Sequence, residues 1–183
     1  MTHPADPDPG PAGAVRDPAG AVRDPDARDR DPAGRPRNAR PRDGLGRPLP
    51  KNAAGEPRVP DDLVLPAADS LDLAEEMLAS GRPFHAHEVL EASWKSGSAS
   101  ERGFWQGLAQ LAVGLTHARR GNARGAVTLL RRGAAGIRPY AAVDPHGVRV
   151  TRVATDAEDL ADRIARDGLA RIPPQTLMLT LRS

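Results

Sequence analysis

The chain of 183 residues has no cysteine, which excludes disulfides, zinc–thiolate sites and thiol nucleophiles. Aromatics are nearly as scarce: Phe84, Trp94, Phe104, Trp105 and Tyr140 are the full set. Base stacking has little to work with, and nucleic acid is not an expected partner. Nowhere do about 18 apolar residues run together, so no spanning helix is expected. The start, MTHPADPDPG, lacks a basic stretch followed by an apolar one, so no secretory signal is expected either. A cytoplasmic protein is the resulting expectation. Lysine is limited to Lys51 and Lys95 while Arg, Ala, Gly and Pro abound, a bias that suggests a GC-rich, bacterial coding genome.

Up to about Pro60 large apolar residues are also missing. Only Val15, Val22, Leu45, Leu49 and Val59 exceed alanine in aliphatic size. Burial of so little apolar surface does not offset backbone entropy, and residues 1–60 are expected to be a disordered Pro/Gly/Arg/Asp-rich tail. Within it PAGAVRD occurs in tandem at Pro11–Asp17 and Pro18–Asp24, and DPAG returns at Asp31–Gly34. Such a repeat has no face to bury and reads as a polar linker. The tail holds 11 basic and 9 acidic residues, leaving 15 of each beyond it, so the formal charge of +2 lies in the tail. The remainder is neutral but segregated: acidic from Asp61 to Glu91, and basic from Arg102 to Arg152.

Beyond Pro66 apolar residues recur at helical spacing, and the expectation is an all-α domain over residues 61–172. It is read as a compact bundle of about five helices, with 173–183 as a C-terminal extension. Ser70 is read as the cap of a first helix ending at Ser80-Gly81. A second runs from Pro83 to Ser96, and Ser98 to Glu101 has the form of a capping box opening a third helix to about Arg120. A turn at Gly121-Asn122 leads to a fourth helix that stops before Pro139. Val148, Val150 and Val153 suggest a short extended piece, and Thr155 to Glu158 a second capping box that starts a last helix, stopped at Gly168.

Turning each residue by about 100° places Phe84, His87, Glu88, Glu91 and Trp94 on one face of the second helix. Gln106, Gln110, Val113 and His117 form a stripe on the third, flanked by Gly103, Gly107 and Gly114. Each glycine costs about 1 kcal/mol of helix propensity, and close approach of another helix is the compensating reason. That approach is expected to bring the Gln/His stripe against the Glu/His face as a buried or semi-buried polar pocket.

The runs FHAHEVLEASW (Phe84–Trp94) and ERGFWQGLAQLAVGLTHARRGNARGAVTLL (Glu101–Leu130) resemble the bacterial and plastid family catalogued as domain of unknown function 309. The shared pattern is H-E-x-L-E near a Trp, then Q-G-L-x-Q-x-A-x-x-x-x-H, then G-N-x-x-G-A, and the likeness extends over about residues 70–170. It implies a compact helical fold and no established activity. Its recurrent polar positions fall on His87, Glu88, Glu91, Gln106, Gln110, His117 and Asn122; His85 carries no weight in it.

Three functional readings follow. The leading one is a small-ligand or peptide-binding module, with Gln106, Gln110, His117, Asn122 and Trp94 lining the pocket. The helix–turn–helix around Gly121-Asn122 is also similar to one unit of a tetratricopeptide repeat. The second is a metal-dependent or acid–base, hydrolase-like enzyme using His87, Glu88 and Glu91. Any divalent metal in it would be held by His87, Glu91 and His117; no E-x-x-H pair for a di-iron site is present, and no nucleophile stands on the polar face. The third is a structural polar network locking helix register. Arg120, Arg124, Arg131 and Arg138 form a stripe that could face phosphate, though outer-face arginines are usually solvated.

Overall fold

In the computed structural model, which describes residues 40–57, 59–60 and 63–182, the described residues form five α-helices joined by short turns. The helices are α1 (Ala67–Ala79), α2 (Pro83–Ser96), α3 (Arg102–Arg119), α4 (Ala123–Ile137) and α5 (Val150–Asp167). Among the described residues there is no strand, and no helix is long and apolar enough to cross a membrane.

α1 and α3 both end in glycine turns. Gly81 (φ 75°) and Gly121 (φ 82°) take the left-handed conformation. Around Gly121 its N–H bonds to Ala118 O at 3.0 Å and that of Asn122 to His117 O at 2.9 Å, and Gly81 and Arg82 repeat the pattern on Leu78 and Met77. Asn122 then caps α4, its Oδ1 accepting from Gly125 N at 2.9 Å. Pro83 occupies the first turn of α2, and Gly168 (φ 75°) stops α5.

Three expected boundaries move. α1 starts at Ala67, so Ser70 lies inside the first turn, 2% exposed, and is not a cap. The Ser98 hydroxyl bonds to that of Ser100, not to the backbone of α3, and a single 3-10 turn, Ala99–Glu101, precedes that helix. α5 begins at Val150: Asp144, six residues upstream, accepts the Val150 N–H at 3.0 Å. Val150 and Val153 are therefore fully buried helix residues and not an extended piece, and Thr155 is interior, bonded to Thr151 O. Their burial outweighs the weak helix preference of β-branched side chains.

Packing is sequential, α1 on α2, α2 on α3, α3 on α4 and α4 on α5. α3 is central, burying Phe104, Trp105, Leu108, Leu111 and Leu115. Close approach through glycine does occur, but toward α4. A Cβ on Gly107 would meet Ile137 Cγ2 at 2.6 Å, and one on Gly114 would meet Leu130 at 3.0 Å. Farther along, Arg131 pairs with Asp162 at 2.7 Å and Arg138, just past α4, with Glu158, so half of the expected arginine stripe is paired with α5.

The tandem repeats of the expected tail lie outside the described residues. The compact unit nevertheless begins at Pro41, well before the Asp61 boundary expected from composition. Gly46 (φ 73°) lies so close to Phe84 that a Cβ would overlap the ring. Arg42 and Arg120 flank that ring, 5.6 and 5.8 Å from its centroid, and Arg120 also donates to Leu45 O at 2.9 Å. At the other end the expected extension carries Leu177, Leu179 and Leu181 into the core.

Candidate functional site: a groove between α2 and α3

α2 turns His85, Ala86, Val89, Leu90 and Ser93 into the core. His87, Glu88, Glu91 and Trp94 occupy its half-exposed side. His87, Glu91 and Trp94 therefore face a groove, because the small apolar residues of α2 are the ones that fit against its neighbours. Glu91 is held from both sides, with Oε2 3.4 Å from His87 Nε2 and Oε1 3.1 Å from Lys95 Nζ. Burial pushes the His87 imidazole below its ordinary pKa; Glu91 pulls it up and Lys95 lowers it further.

α3 supplies the opposite wall. His87, Glu91 and Trp94 meet Gln106, Ala109, Gln110 and Val113, together with Leu129 of α4, around a half-open space of about 170 Å³. Five expected pocket residues are thus together: His87, Glu91, Trp94, Gln106 and Gln110. Glu88 is outside this lining, as are His117 and Asn122. The last two form a separate closure at the α3–α4 turn, where Asn122 Nδ2 donates to His117 Nδ1 at 2.8 Å. Gly125 leaves room for it, since a Cβ there would lie 2.7 Å from both atoms. Among the described residues, no group of three or more His, Asp or Glu side chains is placed to hold a metal ion; His87 and Glu91 stand together, and His117 does not complete a triad with them.

Four solvent-shielded side-chain nitrogens lack a partner among the described residues, and two of them, His87 Nδ1 and Trp94 Nε1, belong to the groove walls. Orphaned buried polar atoms cost roughly 1–3 kcal/mol each. A third is His85 Nδ1, in a side chain only 2% exposed. Helical spacing places His85 with Val89 on the core face, and that was the available signal for its burial.

Two clusters escaped the sequence reading. Glu101 Oε2 accepts from Trp105 Nε1 at 3.1 Å and lies 3.0 Å from His146 Nε2, which holds its carboxyl below the usual range. His146 takes a left-handed backbone (φ 54°) that lays its ring beside Trp105. Near the start of α5, an open depression of about 380 Å³ is lined by Asp144, Arg149, Thr151, Arg152, Thr155 and Asp156. Both arise from the Asp144–Gly147 turn, whose positive φ angles no spacing rule reveals.

The pKa values of both His85 and His87 are lowered from the ordinary 6.5, and burial is the first cause in each case. The unfolded chain therefore binds more protons than the folded one just below that value, and stability rises with pH across that window. We expect the urea midpoint to fall as pH is lowered through about 6.5 toward 5, and His85→Leu to flatten that fall. An unchanged pH profile in His85→Leu would show that His85 is not its source.

Fold and site together define a small all-helical domain with a half-open groove between consecutive helices. A family model described as a domain of unknown function (DUF309) matches residues 71–129. The chain resembles that family over most of α1, all of α2 and α3, and the first half of α4, the helices that build the groove. No curated protein and no solved structure matches the chain.

Proposed function

We propose that this domain is a binding module whose α2–α3 groove takes a small neutral group. The observation that carries this reading is the groove itself: an apolar floor of Ala109, Val113 and Leu129 under polar walls, open to solvent. Its volume of about 170 Å³ is of the order of apolar cavities, roughly 150 Å³, that hold benzene. Toluene is therefore a suitable probe. Titrated into the labelled protein, it should shift the Trp94 indole N–H signal and leave that of Trp105, which is bonded to Glu101, in place. Val113→Phe should fill the space and abolish the shift. A Trp94 signal that stays fixed up to the solubility of toluene would sink the reading.

General-base chemistry is a second reading, favoured by the neutral His87 imidazole backed by the Glu91 carboxylate. It requires hydrolysis of a neutral ester that disappears in His87→Gln. The binding reading requires no hydrolysis, and toluene binding that Val113→Phe abolishes.

A further inference from the structure

We propose that the natural occupant of the groove is an extended peptide segment of a partner protein, anchored by one neutral apolar side chain and held along its main chain by Gln106 and Gln110. This rests on the binding reading above and deepens it. Size points first to a side chain. Sites for whole small molecules usually measure about 300–1,000 Å³, whereas this groove holds about 170 Å³. A single leucine or phenylalanine side chain fits that space, and the remainder of the ligand must lie outside it.

Charge narrows the anchor. Glu91 is the groove's one carboxylate, and both of its oxygens are engaged, by His87 and by Lys95. His87 is neutral. A charged anchor would enter an apolar space without a free counter-ion, which is unfavourable by several kcal/mol unless it is paired.

The rim identifies the main chain. Gln106 is exposed and Gln110 half-buried, and neither carboxamide has a hydrogen-bond partner among the described residues. They stand one turn apart on α3, about 6 Å along the axis at 1.5 Å per residue. Alternate residues of an extended chain are about 6.4–6.8 Å apart, so two carboxamides with this spacing match the main-chain groups of every second residue. Each offers two donors and an acceptor, the complement of a backbone N–H and C=O. Ala109 and Val113 repeat the same one-turn spacing on the groove floor, so a side chain projecting from a strand held this way points inward.

The test compares toluene with Ac-Ala-Phe-Ala-NHMe and Ac-Ala-Lys-Ala-NHMe on the full chain, reading affinity at the Trp94 indole. The phenylalanine peptide should bind about tenfold tighter than toluene, the equivalent of one or two net hydrogen bonds, and the lysine peptide should not bind. In Gln106→Ala/Gln110→Ala the peptide should lose its advantage over toluene, both affinities being read on the same variant. If toluene binds but the peptide gains nothing over it, or keeps its gain in the double variant, the peptide inference is wrong and the groove reading stands. Binding of the lysine peptide would overturn the neutral anchor. If neither toluene nor peptide moves Trp94, the groove reading falls as well.

Discussion

Gly133→Ala is expected to destabilise the domain by about 2–3 kcal/mol, although alanine is the better helix former by about 1 kcal/mol. The reason is the α3–α4 crossing. A Cβ at Gly133 would lie 2.8 Å from the carbonyl oxygen of Gly107 and 2.8 Å from Leu111. Gly107 meets the same constraint from the other side, with Gly133 O at 3.0 Å and Ile137 N at 3.1 Å from its would-be Cβ. Side chains can rotate away from an added methyl group, but these backbones move only if the helices separate. Gly136→Ala is the internal control. Its Cβ would sit 3.4 Å from Gly107 Cα, an ordinary contact, and helix propensity should make that variant neutral or slightly more stable. Urea denaturation of the two variants beside the parent chain decides the matter; equal midpoints would mean that the crossing is not the close seam described. Separation of α3 from α4 would also move Leu129 away from Ala109 and Val113, so Gly133→Ala should weaken toluene binding as well.

The same seam shows what the sequence could and could not convey. Gly107 and Gly114 announced a close approach, but a stripe on one helix does not say which neighbour it meets. The neighbour is α4, because Gly133 offers a matching gap and α2 has no glycine within its span. The groove residues were legible for a related reason: helical spacing alone puts His87, Glu91 and Trp94 on one line and Gln106 and Gln110 on another, and short connections force α2 and α3 together. Ala86, Val89 and Leu90 carry the packing of α2, which leaves His87, Glu88, Glu91 and Trp94 half-exposed. His117 and Asn122 shared the pattern but not the place, because a local contact five residues apart satisfies them at the turn. The start of α5 was hidden for the opposite reason, its cap being Asp144, beyond the reach of any contiguous capping motif.

The C-terminal residues carry the other large expectation: Leu181→Ala should cost about 2–4 kcal/mol. Composition marks residues 173–183 as an extension after Pro173-Pro174, yet Leu177, Leu179 and Leu181 are each 6% exposed or less. Their spacing of two is the period of an extended chain with one face buried. No ladder holds this segment among the described residues; α1 and the start of α5 do. The Leu181 N–H donates to Glu75 Oε1 at 3.0 Å, and Leu181 O accepts from Arg149 N, also at 3.0 Å. Arg182 adds an ion pair with Asp72, and Arg119 donates to Leu177 O at 3.3 Å. Removing the Leu181 side chain leaves a cavity in a place that the backbone bonds prevent from collapsing, which is the condition under which a leucine deletion costs most. Met178, 41% exposed on the alternate face, supplies the contrast. Met178→Ala should change stability by less than about 1 kcal/mol. Equal losses at the two positions would mean that the segment does not present one face to the core, and the domain would then end near Ile172 as composition suggests.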